Sequence, residues 1–198
     1  MNKIPDLTAL IGSRICHDLI SPIGAIGNGV ELLMLEHETS SPELAMIAES
    51  VSNATARLRF FRIAYGAAGS NHRVARNEVT GILDGMNWNG RLKIAWTTPP
   101  ELARAEVKLA FLLLQCLETA MPYGGEVSVQ QKADQWQITG CGKRLRLDSD
   151  LWQILGGSDA PAGLSPDKVH FLLVPDMLQQ RNRQLEMNLS ETRIELAF

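Results

Sequence analysis

The chain has 198 residues, 45% of them hydrophobic and 21% charged, with a formal net charge of −3. That composition supplies a packed core and excludes disorder as the default state. It holds no run of Lys or Arg, which excludes nucleic acid as the main partner, because neutralising a phosphate backbone needs clustered cations.

From the N-terminus, Met1 to Asp6 lacks the charged-then-apolar profile of a signal peptide. Residues 7 to 68 then read as two long amphipathic helices. In the first, Ile11, Ile15, Leu19, Ile23, Ile26, Val30 and Leu33 advance in steps of three or four, which stacks them on one face. Glu36 to Ser41 is polar and turn-like. The second helix starts with Ser40 or Ser41 as N-cap, Pro42 in the first turn, and Glu43 three residues after Ser40. Its apolar set is Leu44, Ile47, Val51, Ala54, Leu58, Phe61, Tyr65 and Ala68, a coiled-coil spacing that Gly66 to Ser70 ends. A lone hairpin leaves two such stripes uncovered. Two-fold pairing of hairpins into a four-helix bundle covers both, so a homodimer is expected. Cover by the C-terminal half within one chain is the alternative.

Residues 71 to 198 change character, and the boundary expected is 1–70 against 71–198. A helix at Ala75 to Met86 leads to a strand at Leu92 to Thr97, and Pro99-Pro100 marks a loop. A helix from Ala103 to Met121 follows, with Val107, Ala110, Phe111, Leu114 and Leu117 on its buried side. Strands are expected at Val127 to Lys132 and Gln135 to Thr139, and a short helix at Ser149 to Leu155. After a loop through Gly156, Gly157, Pro161 and Gly163, Ser165-Pro166-Asp167 starts a helix reaching Arg181. Strands at Gln184 to Leu189 and Arg193 to Ala197 close the chain. Helices mixed with antiparallel hairpins imply an α+β fold, here a helical hairpin followed by an α/β sandwich.

Cys16, Cys116 and Cys141 are odd in number, far apart and without a C-x-x-C pair, so they read as free thiols of a reducing cytoplasm. The longest apolar stretch, around Leu109 to Leu117, falls short of the ~20 residues a membrane span needs. No membrane partner is expected, and the location expected is cytoplasmic. His17, His37, His72 and His170 show no metal-ligand spacing.

The informative stretch runs from His17 to Glu31. At about 100° per residue, His17 lies nearly opposite Ile15 and Leu19 and should face solvent. Its own face carries Ser13, Arg14, Ser21, Gly24 and Asn28, all small or polar. An imidazole on so smooth a surface is accessible to another protein, as a phosphoryl carrier must be. Gly24, Gly27 and Gly29 each cost on the order of 1 kcal/mol against Ala inside a helix. Pro22 removes a backbone bond as well. Close approach by a partner, a kink beside His17, or tight packing of the hairpin would each explain the cluster. An isolated surface His is otherwise merely solvated.

His17-Asp18-Leu19-Ile20-Ser21-Pro22 resembles the H-box of dimeric histidine kinases: a phosphoacceptor His, an acidic neighbour, and proline five residues on. The longer string from His17 to Leu33 resembles, more specifically, the alphaproteobacterial histidine phosphotransferases of the ChpT type. The likeness covers essentially the whole chain and implies a dimeric hairpin followed by a degenerate kinase ATPase-like domain. In the second half it rests on element order. Kinases of this fold carry a helix with two Asn residues; here Gln115 and Thr119 stand in those places, and Pro122 where a Lys is common. The adenine-binding Asp of the next motif would fall within Gly140-Cys141-Gly142, and no Gly-rich lid follows. Magnesium-bound triphosphate needs oxygen ligands and backbone cradles, so no stably bound cofactor is expected.

The resemblance implies that His17 carries a phosphoryl group between the receiver domain of a hybrid histidine kinase and those of response regulators, each receiver supplying Mg²⁺. Asp18 would orient the ring or disfavour hydrolysis, or is simply a solvated charge. Arg14 would neutralise phosphate, or form a structural ion pair. Receivers would dock on the His17 face over Arg14, Ile20, Ser21, Gly24, Ala25 and Asn28, with the degenerate domain as a second contact surface. The rivals are a non-catalytic adaptor for receivers and an active histidine kinase.

Overall fold

An unbroken helix of 30 residues, α1 (Leu7–Glu36), opens the computed structural model, which describes residues 7–36, 41–69, 72–86, 88–159, 161 and 163–198. The expectations for Met1 to Asp6, His37, Ser40 and Ser70 lie outside these residues. Pro22 sits inside α1 without ending it. The second helix, α2 (Pro42–Ala64), starts where Ser41 Oγ accepts the backbone N–H of Leu44 at 3.2 Å, with Pro42 at its first position. The two helices pack along each other.

The expected single stripe of α1 divides in the structure. Ala9, Cys16 and Val30 are buried, with Ile23 half-buried between them. These four are seven residues apart, a heptad seam facing α2. Ile11, Ile15, Leu19, Ile26 and Leu33 are left 45 to 59% exposed. The reason is size: Ala and Cys let two helices approach closely, and a search for large apolar residues passes over them. Burial raises the pKa of the Cys16 thiol. By length and composition α1, and not the Leu109–Leu117 stretch, is the helix among the described residues apolar enough to cross a bilayer. It nevertheless carries Arg14, Asp18 and Glu31 along its length.

Beyond the hairpin the described residues form β1 (Arg73–Ala75), α3 (Arg76–Gly85), β2 (Leu92–Thr97), β3 (Glu101–Ala103) and α4 (Arg104–Ala120). They continue through β4 (Gly125–Lys132), β5 (Gln135–Cys141), α5 (Ser149–Leu155), α6 (His170–Gln180), β6 (Glu186–Leu189) and β7 (Arg193–Ala197). Five strands make one sheet in the order β2-β4-β5-β7-β6, and β1 pairs with β3 in a separate ribbon. Two features depart from the expected antiparallel hairpins. β2 runs parallel to β4, with Ile94 opposite Val127 and Trp96 opposite Val129; the crossover between them contains α4. The ribbon strands are three residues each, too short for an alternation pattern. The last expected helix divides at Val169, with a 3-10 turn at Pro166–Lys168 before α6.

The sheet buries one face. Val127, Val129, Trp136, Ile138, Ile194 and Leu196 point to the core, while Lys93, Glu126, Gln130 and Gln137 lie on the open side. α4 is buried nearly all round, from Val107 to Leu117, apart from the half-buried Gln115. Gly124 closes the turn before β4 at φ +82°, and a Cβ there would lie 2.4 Å from Arg91 O, so only glycine fits.

The core also takes in one end of α2. Ala56, Phe60, Ile63 and Ala64 are buried in the same cluster as α4 and the sheet. Phe60 stacks on Phe111 with centroids 4.3 Å apart and planes 5° from parallel. The end of α2 is closed by cations from α4: Arg104 donates to Arg62 O at 2.9 Å and Lys108 Nζ to Gly66 O at 2.9 Å. The hairpin is thus anchored on the second half through α2, and α1 lies outside.

Candidate functional site

Helical periodicity and the α2 seam together set the direction of His17. With Cys16 turned toward α2, the next residue projects about 100° around the axis, and its side chain is 80% exposed. Its Nδ1 lies 3.1 Å from Asp18 Oδ1. The other carboxylate oxygen, Oδ2, accepts from Arg14 Nε at 2.7 Å. Hydrogen bonding to the His17 ring first, and to Arg14 second, holds the Asp18 carboxyl below the usual range, so it is a carboxylate at neutral pH. Among the described residues His17 Nε2 has no hydrogen-bond partner, on a side chain that is largely exposed.

A carboxylate at Nδ1 selects the neutral tautomer protonated there and leaves the lone pair on Nε2. The arrangement is therefore an exposed imidazole with one nitrogen engaged and the other available as a nucleophile. Residue spacing did not reveal which nitrogen is engaged, because adjacent helical residues do not usually face each other. Here the ring turns back toward Asp18.

The other expected docking residues follow His17 along α1, as far as Asn28 about three turns on. Ser21, Ala25 and Asn28 are exposed, and Ile20 and Gly24 are half-buried. The glycines separate by cause. A Cβ on Gly27 would lie 3.2 Å from Val51 Cγ1, so that glycine serves the packing of α1 on α2. A Cβ on Gly24 or Gly29 would meet nothing within 4 Å among the described residues, so no packing there calls for either. Ser13, placed on the His17 face from sequence, is tied to the end of α2: its Oγ accepts from Ala67 N at 2.9 Å.

In the second half, the residues at the two Asn positions of the kinase pattern are engaged within the chain. Gln115 Oε1 accepts from Tyr65 OH at 2.8 Å, which links α4 to α2. Thr119 Oγ1 lies 3.4 Å from His170 Nε2 on α6. Burial, with the Lys168 charge adding to it, pushes the His170 pKa down to about 4. Glu118 between them is raised by its own burial.

Comparison with known proteins bears on this architecture as a whole. Residues 76–193 match the family model for the histidine phosphotransferase C-terminal domain. The chain is 36% identical over 159 residues to protein phosphotransferase ChpT of Brucella abortus (strain 2308), covering 77% of this chain and 76% of that protein. A solved structure of a bacterial phosphotransferase superposes with a TM-score of 0.70 at 30% identity, covering 97% of this chain and 95% of that one. An α+β chain with a helical hairpin, a sheet domain and these relatives belongs to the histidine phosphotransferase family and is a phosphotransferase.

Proposed function

We propose that His17 is the phosphoacceptor, relaying a phosphoryl group between the receiver domain of a hybrid histidine kinase and the receivers of response regulators in a phosphorelay. The observation that carries this reading is the exposed imidazole whose Nδ1 faces Asp18 while Nε2 stays open. Nε2 attacks the phosphorus of a receiver aspartyl phosphate. The N–P bond forms as the P–O bond to the aspartate breaks, and the aspartate leaves as a carboxylate. The ring keeps its Nδ1 proton and becomes cationic, with Asp18 beside the new charge. A second receiver's aspartate then attacks phosphorus, and the neutral ring is restored. Positioning and charge stabilisation are the main demands of such a transfer. Mg²⁺ comes with the receiver.

The open space over Gly24, together with Ser21, Ala25 and Asn28, supports a receiver settling on this flank. The uncovered residues Ile11, Ile15, Leu19, Ile26 and Leu33 lie on roughly the opposite side of α1. We assign that stripe to a homodimer whose two hairpins form a four-helix bundle, each exposing its own His17. The same stripe is a poor membrane span, because Arg14, Asp18 and Glu31 would each be costly within hydrocarbon. The protein works in the cytoplasm. ATP has no part in the cycle, a reading supported by the engagement of Gln115 with Tyr65 and of Thr119 with His170.

The test is phosphoryl uptake from a labelled phosphorylated receiver. The wild-type chain takes up acid-labile label, and His17→Gln takes up none while eluting as the same oligomer. Undiminished labelling of that variant refutes the assignment. Labelled ATP with no other protein leaves the chain unlabelled; self-labelling would make it a kinase.

A further inference from the structure

We propose that Arg14 is a positioning residue for phosphotransfer, acting on His17 through Asp18 by holding that carboxylate with one oxygen aimed at the ring. The inference rests on His17 being the phosphoacceptor. The two oxygens of Asp18 are divided between neighbours: Oδ2 accepts from Arg14 Nε at 2.7 Å, and Oδ1 lies 3.1 Å from His17 Nδ1. A carboxylate on an exposed helix surface turns broadly about its terminal torsion and offers either oxygen in any direction. Anchoring Oδ2 removes that freedom and leaves Oδ1 directed at the imidazole. Arginine suits the task because its donors are fixed in a plane, whereas a lysine ammonium is a point charge on a flexible stem.

Stability does not account for this pair. The Arg14 and Asp18 side chains are 78% and 48% exposed, a setting in which ion pairs contribute little. The basic residue also precedes the acidic one, the weaker order along a helix. What the pair changes is the ring. With Oδ1 held at Nδ1, the proton stays there and the lone pair stays on Nε2. After transfer the same oxygen faces the cationic N–H of the phosphorylated ring. Without Arg14 the carboxylate swings free, the tautomers interconvert, and fewer rings present a nucleophilic Nε2 to the receiver.

The experiment compares the full-length wild type with Arg14→Gln, Asp18→Asn and the double variant. Each is mixed with a receiver domain phosphorylated by labelled acetyl phosphate. Arg14→Gln is expected to slow uptake about tenfold, less than the ~100-fold that a fully misplaced reacting group can cost. Asp18→Asn slows it at least as much, and the double variant is no slower than Asp18→Asn alone, because two residues acting in series are not additive. Nitrogen-15 NMR of His17 shows a smaller share of the Nδ1–H tautomer in Arg14→Gln, at unchanged helix content. An unchanged rate and tautomer share in Arg14→Gln overturn the proposal. So does a double variant slowed by the product of the single effects, which would put Arg14 directly on the phosphoryl group or the receiver. If the wild type itself takes up no label, the phosphoacceptor reading falls and this inference with it.

Discussion

Gly24 separates what the helix needs from what a partner needs. A Cβ there meets no atom of the described residues within 4 Å, so Gly24→Ala should stabilise α1 by roughly 1 kcal/mol, read as a higher midpoint in thermal or urea denaturation. Gly24→Leu should keep the fold yet slow uptake of label from a phosphorylated receiver, because its branch fills the flank beside His17. Equal uptake by that variant would move the docking site elsewhere. Gly27→Ala is the control, since its Cβ sits 3.2 Å from Val51 Cγ1 and packing opposes any gain. At this scale sequence reading named His17 and its face from periodicity and motif. It did not distinguish the three glycines, because cost in a helix is a property of residue type and benefit is a property of the neighbour.

At the scale of elements, each hairpin helix divides its surface between two duties. α1 turns Ala9, Cys16 and Val30 to α2 and leaves Ile15 and Leu19 open. Introducing charge there, Ile15→Glu with Leu19→Glu, should give a monomer by light scattering while far-ultraviolet circular dichroism keeps its helical signal. A dimer of unchanged mass would place the interface elsewhere. α2 turns Phe60 and Ile63 into the core of the second half. Phe60→Ala deletes a side chain with no exposure that stacks on Phe111, and should cost about 3–5 kcal/mol in chemical denaturation. The coiled-coil spacing read from sequence ran through Leu58, Phe61 and Tyr65, which are half-buried, and passed beside this face. One helix served two partners, and a single-stripe reading finds only one of them.

At the scale of the whole molecule, the buried His170 contributes to the response to acid. His170 is 3% exposed on α6, against Thr119 of α4, and burial pushes its pKa down to about 4. Unfolded, the same imidazole titrates near ~6.5. The unfolded chain therefore binds this proton more tightly, and the contribution of His170 to stability is complete above about pH 6.5 and declines as pH falls toward 4. The loss is on the order of 3 kcal/mol. It should appear as a falling denaturation midpoint between pH 7 and 4.5. His170→Asn retains an amide for Thr119 and should flatten that slope; an equally steep slope in the variant would assign it to other groups.

Sequence by itself determined the order of the long helices and of the five strands of the main sheet, the two-helix hairpin, the free thiols and the His17 motif, because each is written in local periodicity, capping residues and adjacent residue types. The long strands β2, β4, β5 and β7 were legible for the same reason. Only the tertiary structure decided the parallel pairing of β2 with β4, the β1–β3 ribbon, the anchoring of α2 on α4, and the turning of Ala9, Cys16, Ile23 and Val30 toward α2. It alone also divided the Asp18 carboxylate between Arg14 and His17. These are relations between residues distant in sequence, or between side-chain directions on one helix. Residue pattern shows which groups are present; packing sets which groups meet.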